Sequence, residues 1–218
     1  MKSVHYLTNS SSTFTQSVHQ IMENFASLGF LKLSAGNREE VKKETHIYYD
    51  HINHSTFSRS LYCFGGFLRQ AISIDTEDIF VDYKSTASSK TKRYKVDRVA
   101  SISEISNAVS FRGKLVKVLE TDCETFSYLI QNKNKVCLEI SLQTVKLANG
   151  NILYFISLRD KTRRLYGKAI EEKCENEIRN IFKDFKTWTD EFSLTQVYNK
   201  YSALLEIYNE KLADRAPF

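Results

Sequence analysis

The sequence predicts an α+β fold in which a mixed or antiparallel sheet with hairpins packs on helices and the chain ends in an antiparallel helix pair. Three observations predict it. Apolar residues recur with helical spacing near both ends, central runs alternate between apolar and polar residues, and Asn149-Gly150 separates two such runs. At 218 residues, the chain can bury a core as one domain over 1–218. The alternative is a mixed core over 1–165 and a helical hairpin over 166–218.

The first half of the chain predicts three helices and one hairpin. Apolar residues lie on one helical face over 13–28, which predicts a helix there. Residues 34–44 are polar and charged, and we expect a loop that runs into a short helix. Alternating β-branched and aromatic residues predict a strand over 78–84, with 93–102 as its returning partner. A short helix is expected over 103–109.

The second half opens with a predicted strand over 114–120. Thr121 is a suitable N-cap with acidic residues after it, so we expect a helix from there to residue 130. A second hairpin is predicted from 135–147 and 152–159, because Asn149-Gly150 favours a type I′ turn, in which both central residues have positive φ.

The last fifty residues predict two amphipathic helices, 168–188 and 193–212. Ser193 and Gln196 have the spacing of a capping box at the start of the second helix. The short connection between the helices predicts an antiparallel pair.

Composition excludes several classes of protein. Seven glycines and one proline exclude collagen-like and proline-rich chains. The longest apolar runs are too short for a membrane span, and the N-terminal stretch lacks the apolar core of a secretory signal, so we expect a cytoplasmic protein without a membrane partner. No two cysteines have C-x-x-C spacing, and reduced, mostly buried thiols are expected at all four. They are Cys63, Cys123, Cys137 and Cys174.

Basic residues concentrate in the first predicted hairpin and in the turn before the long C-terminal helix. The chain has 31 Lys and Arg against 26 Asp and Glu. Residues 92, 94, 96 and 98 are expected on one strand face, which would present Lys92, Tyr94 and Arg98 together. We interpret the protein as a non-catalytic binder of nucleic acid or another polyanion. The predicted contacts are Lys90, Lys92, Arg93, Lys95 and Arg98 in the hairpin, and Lys161, Arg163 and Arg164 in the turn.

An alternative hypothesis is based on Gly65-Gly66, which precedes Asp75, Glu77 and Asp78. A glycine pair followed by a strand with acidic residues resembles the nucleotidyltransferase superfamily (polymerase-β-like). The resemblance implies that the glycines approach a nucleotide and that these acids, with Glu139 from a later strand, hold Mg²⁺ or Mn²⁺. Phe80 stands where the family's acid-apolar-acid pattern would place its second acid. The favoured interpretation, a non-catalytic polyanion binder, needs no cofactor.

Three further features of the sequence bear on its function. The C-terminal helices could dock the chain into a larger protein assembly. His46, Asp50, His51 and His54 form no complete metal signature, and we interpret them as a polar surface segment without a metal. Any of the four cysteines could pair with a histidine in space as a nucleophile, a question that spacing leaves open. Phosphate-loop, dinucleotide and serine-elbow motifs are absent from the sequence.

Overall fold

The computed structural model describes residues 3–27, 38–51, 61, 66–85, 91–109, 114–132, 135–160, 183–187, 190–192 and 194–213. Over those residues the fold is dominated by one antiparallel sheet of nine strands. The predicted α+β packing of hairpins on helices, with a C-terminal helix pair, is therefore wrong.

The hydrogen-bonded order of the strands is β5-β4-β3-β2-β6-β7-β8-β1-β9. Three longer helices accompany them among the described residues. The strands are β1 Ser3–Thr8, β2 Arg38–His51, β3 Phe67–Ser73, β4 Ile79–Lys84, β5 Lys92–Val96, β6 Leu115–Asn132, β7 Lys135–Leu147, β8 Ile152–Asp160 and β9 Thr195–Gln196; the helices are α1 Ser11–Ser27, α2 Ile102–Ala108 and α3 Lys200–Ala213. None of the described helices has the length and apolar character to cross a bilayer.

Several predicted elements are confirmed. Helices α1 and α2 and strand β4 lie where the periodicity placed them, and β7 and β8 flank the predicted turn. The turn itself differs, because among the described residues around it only Gly150 has a positive φ, of 87°. A type I′ turn needs positive φ at Asn149 as well. The loop instead closes with Leu147 N–H donating to Asn151 O at 2.8 Å.

The helix predicted from Thr121 is wrong, because β6 continues through it as one 18-residue strand. Thr121 and Cys123 are buried, whereas Asp122 and Glu124 are exposed. This is the period of two that a strand imposes. The acids that suggested a first helical turn therefore point to the solvent side of a strand.

The predicted loop and short helix over 34–44 is also wrong in its described part, since β2 begins at Arg38. The aromatic and β-branched second half of β2 favours a strand, and the polar first half continues it.

The predicted C-terminal helix pair is wrong. Gln196 lies in β9, so it cannot form the predicted capping box, and Ser193 lies outside the described residues. Helix α3 begins later, where the Asn199 side chain accepts from Tyr201 N–H at 3.1 Å. Most of the first predicted helix, with the proposed boundary near residue 165, lies in 161–182, outside the described residues, although 183–187 are helical.

The chain divides into two compact units. Unit 1 comprises Met1–Val41, Thr125–Thr144 and Ile152–Tyr198; unit 2 comprises Lys42–Glu124, Val145–Asn151 and Asn199–Phe218. In unit 1, β1 pairs antiparallel with β8 and β9. Its aromatic contacts include Phe14 stacked on Tyr154, with ring centroids 4.9 Å apart, and Tyr6 edge-on to Phe185 at 5.7 Å.

Unit 2 contains β2 from Lys42 onward and all of β3 to β5, and one face of these strands is apolar. Leu68, Val81 and Ile105 are fully buried there, and Ile105 brings α2 against the sheet. Helix α2 starts with a capping box between Ser101 and Glu104, which satisfies two backbone N–H groups. Because strand side chains alternate, this apolar face leaves the polar residues of β2 to β5 on the opposite face.

Candidate functional site

Four paired residues cross the polar face of unit 2 in one line, and we name them the arginine row. Tyr48 on β2 is paired with Arg69 on β3, Arg69 with Asp82 on β4, and Asp82 with Arg93 on β5. Directly paired residues on neighbouring strands lie on the same face of a sheet. The row therefore brings two guanidinium groups to one carboxylate.

Asp82 is the centre of the arginine row. Its side chain is 1% exposed and accepts hydrogen bonds from Arg69 Nε at 3.0 Å and from Arg93 Nε and Nη2 at 2.6 and 2.8 Å. Burial acts to raise the pKa of Asp82, but the hydrogen bonds and charges of the two arginines outweigh it and hold that pKa below its usual value. One negative charge thus faces two positive charges.

Aromatic rings flank the two arginines. The Arg93 guanidinium lies 4.8 Å from the centroid of the Phe80 ring, and the Arg69 guanidinium lies 5.4 Å from that of Phe67. Both rings are half-buried. Lys95 is paired with Phe80 and forms an ion pair with Asp78 at 2.6 Å. The outer part of the polar face therefore combines cations with aromatic surface.

A thiol, an imidazole and a carboxylate form a second group on this face, which we name the thiol cluster: Cys123, His46 and Glu44. Cys123 Sγ lies 3.4 Å from His46 Nδ1, and His46 Nε2 lies 3.0 Å from Glu44 Oε2. Cys123 and His46 are 4% and 1% exposed. Of the cysteines, Cys123 is one whose described side chain meets a histidine. The interpretation of His46 as a surface residue is wrong.

Positive charge surrounds the thiol cluster. Burial acts to raise the pKa of Cys123, but the charge of Lys200 and the hydrogen bond and charge of His46 outweigh it and lower the pKa to about 6. The Thr121 hydroxyl is a further partner, 3.4 Å from Sγ. The hydrogen bond with His46 lowers the pKa of Glu44, so this residue stays a carboxylate beside the imidazole.

Arg69 joins the thiol cluster to the arginine row. Its Nη1 lies 3.1 Å from His46 Nδ1 and donates to the Tyr48 hydroxyl at 3.3 Å. A guanidinium only donates, so Nδ1 accepts from it while His46 is neutral, and the ring proton is then on Nε2, toward Glu44.

Helix α3 packs on the polar face of unit 2 through aromatic and polar contacts. The Tyr201 ring stacks on Tyr48 with centroids 5.2 Å apart, and its hydroxyl donates to Asp50 Oδ2 at 2.7 Å. The other oxygen of Asp50 accepts from Leu61 N–H at 3.0 Å. These contacts bury Tyr201 and Asp50 and place Lys200 near the thiol cluster.

The acidic residues that the nucleotidyltransferase hypothesis proposes as metal ligands are described next to other partners. Asp75 accepts from Lys43 N–H at 3.3 Å, and Asp78 pairs with Lys95. Glu77 is in the same turn, with φ 57°. Glu139 belongs to unit 1, where Ser141 donates to it at 2.8 Å. Among the residues that the structure describes, no three His, Cys, Asp or Glu are grouped to hold a metal ion. Gly66 is buried, and Gly65 lies outside the described residues.

The predicted basic contacts are only partly described. Lys90, Lys161, Arg163 and Arg164 lie outside the described residues. The expected face shared by Lys92, Tyr94 and Arg98 is wrong, because β5 ends at Val96 and Tyr94 packs against the apolar cluster. Arg98 instead pairs with Glu104. Alternation places Arg93 and Lys95 on the polar face.

Sequence reasoning missed Arg69 and Asp82 as site residues. It interpreted His46 as part of a polar surface segment and left open which cysteine, if any, meets a histidine. One usable signal was present: Arg69 and Asp82 stand at equal distances from the centre of the turn between β3 and β4, so a hairpin through that turn pairs them. The contact of His46 with Cys123 joins residues 77 positions apart in sequence, and no local pattern announces it.

Comparisons with known proteins give limited information. No protein-family model matches the chain, and no curated protein matches it. Among solved structures, it is similar to one from Vibrio parahaemolyticus described as a "putative adenylate cyclase", at 11% identity and a TM-score of 0.49, over 94% of this chain and 97% of the other. A Pyrococcus horikoshii OT3 protein is similar at 8% identity and a TM-score of 0.41, over 83% and 89%. Neither likeness assigns a function.

Proposed function

We propose that the chain binds nucleic acid, as a polyanion, on the polar face of unit 2, with Arg93 and Lys95 as phosphate contacts. The observation that carries this proposal is the shared carboxylate of the arginine row. Asp82 is one carboxylate shared by two guanidinium groups, and Glu44, whose charge also acts on Arg93, is hydrogen-bonded to His46. An anionic group beside Arg93 would add a charge-assisted bond, and such bonds from arginine to phosphate are strong.

Exposure favours the β5 side of the face as the place of binding. The Arg93 side chain is 46% exposed and that of Lys95 is 63% exposed, whereas Arg69 is 19% exposed. The two exposed cations therefore meet a ligand at little desolvation cost. Arg69 has the role of holding Asp82, and through it Arg93, in place.

Aromatic surface supports nucleic acid over other polyanions. Phe80 lies under Arg93, and a base can stack on an aromatic ring or an arginine plane in single-stranded ligands. We therefore expect single strands to bind more tightly than inorganic polyphosphate of equal charge.

The test is fluorescence anisotropy with a labelled single-stranded oligonucleotide, from about 50 mM salt upward. We expect Arg93→Gln to weaken binding by about tenfold, the loss of one charge-assisted contact. The slope of affinity against salt should fall by about one phosphate contact. Lys183→Gln, which removes an exposed positive charge from unit 1, is the matched control and should leave both quantities nearly unchanged.

Absence of binding at low salt would overturn the proposal, as would equal effects of the two substitutions. Arg98→Gln separates the polar face from the hairpin end, because Arg98 is paired with Glu104 away from β5. If Arg98→Gln weakens binding and Arg93→Gln does not, the contact lies at the end of the hairpin and not on the polar face. The turn 159–168 and a cytoplasmic location remain parts of this proposal.

A further inference from the structure

Beyond binding, we propose that Cys123 is a peroxide-reactive thiol: hydrogen peroxide oxidises it to the sulfenic acid, and His46 gives the proton to the departing hydroxide. Glu44 and Lys200 are positioning residues in this step. The proposal stands on the two-sided contact of His46, with Sγ at 3.4 Å from one ring nitrogen and a carboxylate at 3.0 Å from the other. It does not depend on polyanion binding.

This geometry is that of an activated nucleophile, in which a base contacts the thiol and a third group orients the base. Most buried cysteines lack it and act as small apolar side chains. Here the thiol proton has an acceptor in His46 Nδ1, and Glu44 stabilises the imidazolium that forms. Arg69 competes for the same nitrogen, and its second acceptor, the Tyr48 hydroxyl at 3.3 Å, can take its N–H when the proton moves.

The charged groups around Cys123 favour the thiolate. Glu44, His46 and Tyr48 come from β2, Arg69 from β3 and Lys200 from α3. The charged residue of β7 in unit 2, Lys146, is exposed. Lys200 and Arg69 are the permanent cations of this group, Glu44 is the carboxylate bound to His46, and Asp82 on β4 is the ion-pair partner of Arg69. Together these groups leave the pKa of Cys123 below its usual value. A low thiol pKa in an electropositive setting is the condition for reaction with peroxide.

The reaction balances without a further reagent. The thiolate sulfur attacks one peroxide oxygen, the S–O bond forms and the O–O bond breaks. His46 Nδ1–H protonates the departing hydroxide, which leaves as water. Sulfur is oxidised by two electrons and the peroxide is reduced by two, and the products are sulfenic acid and neutral imidazole.

Burial restricts which oxidant can react. Cys123 is 4% exposed, so the reagent must be small, and hydrogen peroxide has two heavy atoms. A bulky alkylating reagent is therefore expected to react slowly with the folded chain. This selectivity distinguishes the thiol cluster from an exposed cysteine.

The experiment uses the full chain with Cys63, Cys137 and Cys174 changed to serine. The chain is treated with hydrogen peroxide between pH 5 and 9, and peptide mass spectrometry measures oxidation of Cys123. We expect a rate that rises through a midpoint near pH 6, where the structure places the thiol pKa. The urea-unfolded chain should have its midpoint near about 8.5. If the serine variant does not fold, the same peptide is followed in the unmodified chain.

Two substitutions connect the rate to the thiol cluster. Glu44→Gln and Lys200→Met should each raise the midpoint by about 0.5 to 1 pH unit, since each removes support for the thiolate–imidazolium pair. Lys146→Met, with the same loss of charge at an exposed position, should leave it unchanged. The proposal is overturned if folded Cys123 stays reduced, if the midpoint lies near 8.5, or if Lys146→Met and Lys200→Met behave alike.

Discussion

Arg69 and Asp82 are paired across β3 and β4, and the guanidinium of Arg69 contacts one oxygen of Asp82 through both Nε and Nη2 at 3.0 Å. The Asp82 side chain is 1% exposed and that of Arg69 is 19% exposed, so this ion pair is largely removed from water. A charge in that setting is tolerated only with its partner. The pair therefore fixes both the arginine row and the sheet that carries it.

Removal of the Asp82 charge is expected to be strongly destabilising. Asp82→Asn leaves Arg69 buried opposite a neutral side chain, and we expect a loss of about 3 kcal/mol in the free energy of unfolding. Asp78→Asn is the matched control on the adjoining turn, because its partner Lys95 is 63% exposed and exposed pairs of this kind contribute little to stability. Urea denaturation measures both. Equal losses would show that burial of the arginine row adds nothing.

Acid should weaken the fold through the same carboxylate. The folded-state pKa of Asp82 lies below its usual value, because the two arginines outweigh burial. A lowered folded pKa gives stability that is complete above the unfolded pKa, about 3.9, and is lost as the pH falls through the folded pKa. The free energy of unfolding should therefore fall below about pH 4, and Asp82→Asn should make that fall shallower. An unchanged acid profile in the variant would contradict the assignment.

The sequence predicts the separate elements of this fold better than their arrangement. The β7–β8 hairpin, α1 and α2 follow from local spacing, and local spacing is visible in one sequence. The nine-stranded sheet cannot be predicted from local spacing. Strand β2 pairs with β3, but its other neighbour, β6, begins more than sixty residues later in the sequence. Such pairing is decided by burial of whole faces rather than by local preference.

The Thr121 error has the same origin. A hydroxyl followed by acids favours a helix start in isolation, and the strand is chosen because β6 buries Thr121 and Cys123 within the sheet. The site was hidden for a related reason. The basic residues are clustered in sequence and can therefore be recognised as a group. His46 and Cys123 are 77 positions apart, so their contact cannot be inferred from local sequence.

Gln70 is expected to be essential for the position of the segment before α2. This fully buried side chain donates to the Tyr49 hydroxyl at 2.7 Å and to Ala100 O at 2.9 Å, and it accepts from Ala100 N–H at 2.8 Å. Gln70→Leu leaves these groups without that partner, and we expect a loss of about 2 to 3 kcal/mol in the free energy of unfolding. Gln196→Leu, at an exposed position of β9, should cost little by the same measurement. A near-neutral Gln70→Leu would mean that water replaces all three bonds.

The contact of α3 with β2 should contribute through the Tyr201 hydroxyl. Tyr201→Phe keeps the ring that stacks on Tyr48 but removes the donor to Asp50 Oδ2, in a residue that is 2% exposed. A hydrogen bond to a charged group contributes about 1.5 to 3 kcal/mol, so thermal unfolding should begin at a clearly lower temperature. Tyr198→Phe is the control, because Tyr198 is 96% exposed and the same chemical change there should leave stability unaltered.

Since α3 also carries Lys200, Tyr201→Phe should in addition slow oxidation of Cys123 at neutral pH if the helix end shifts. A variant that loses stability but keeps its oxidation rate would show that Lys200 holds its position without the Tyr201 hydroxyl.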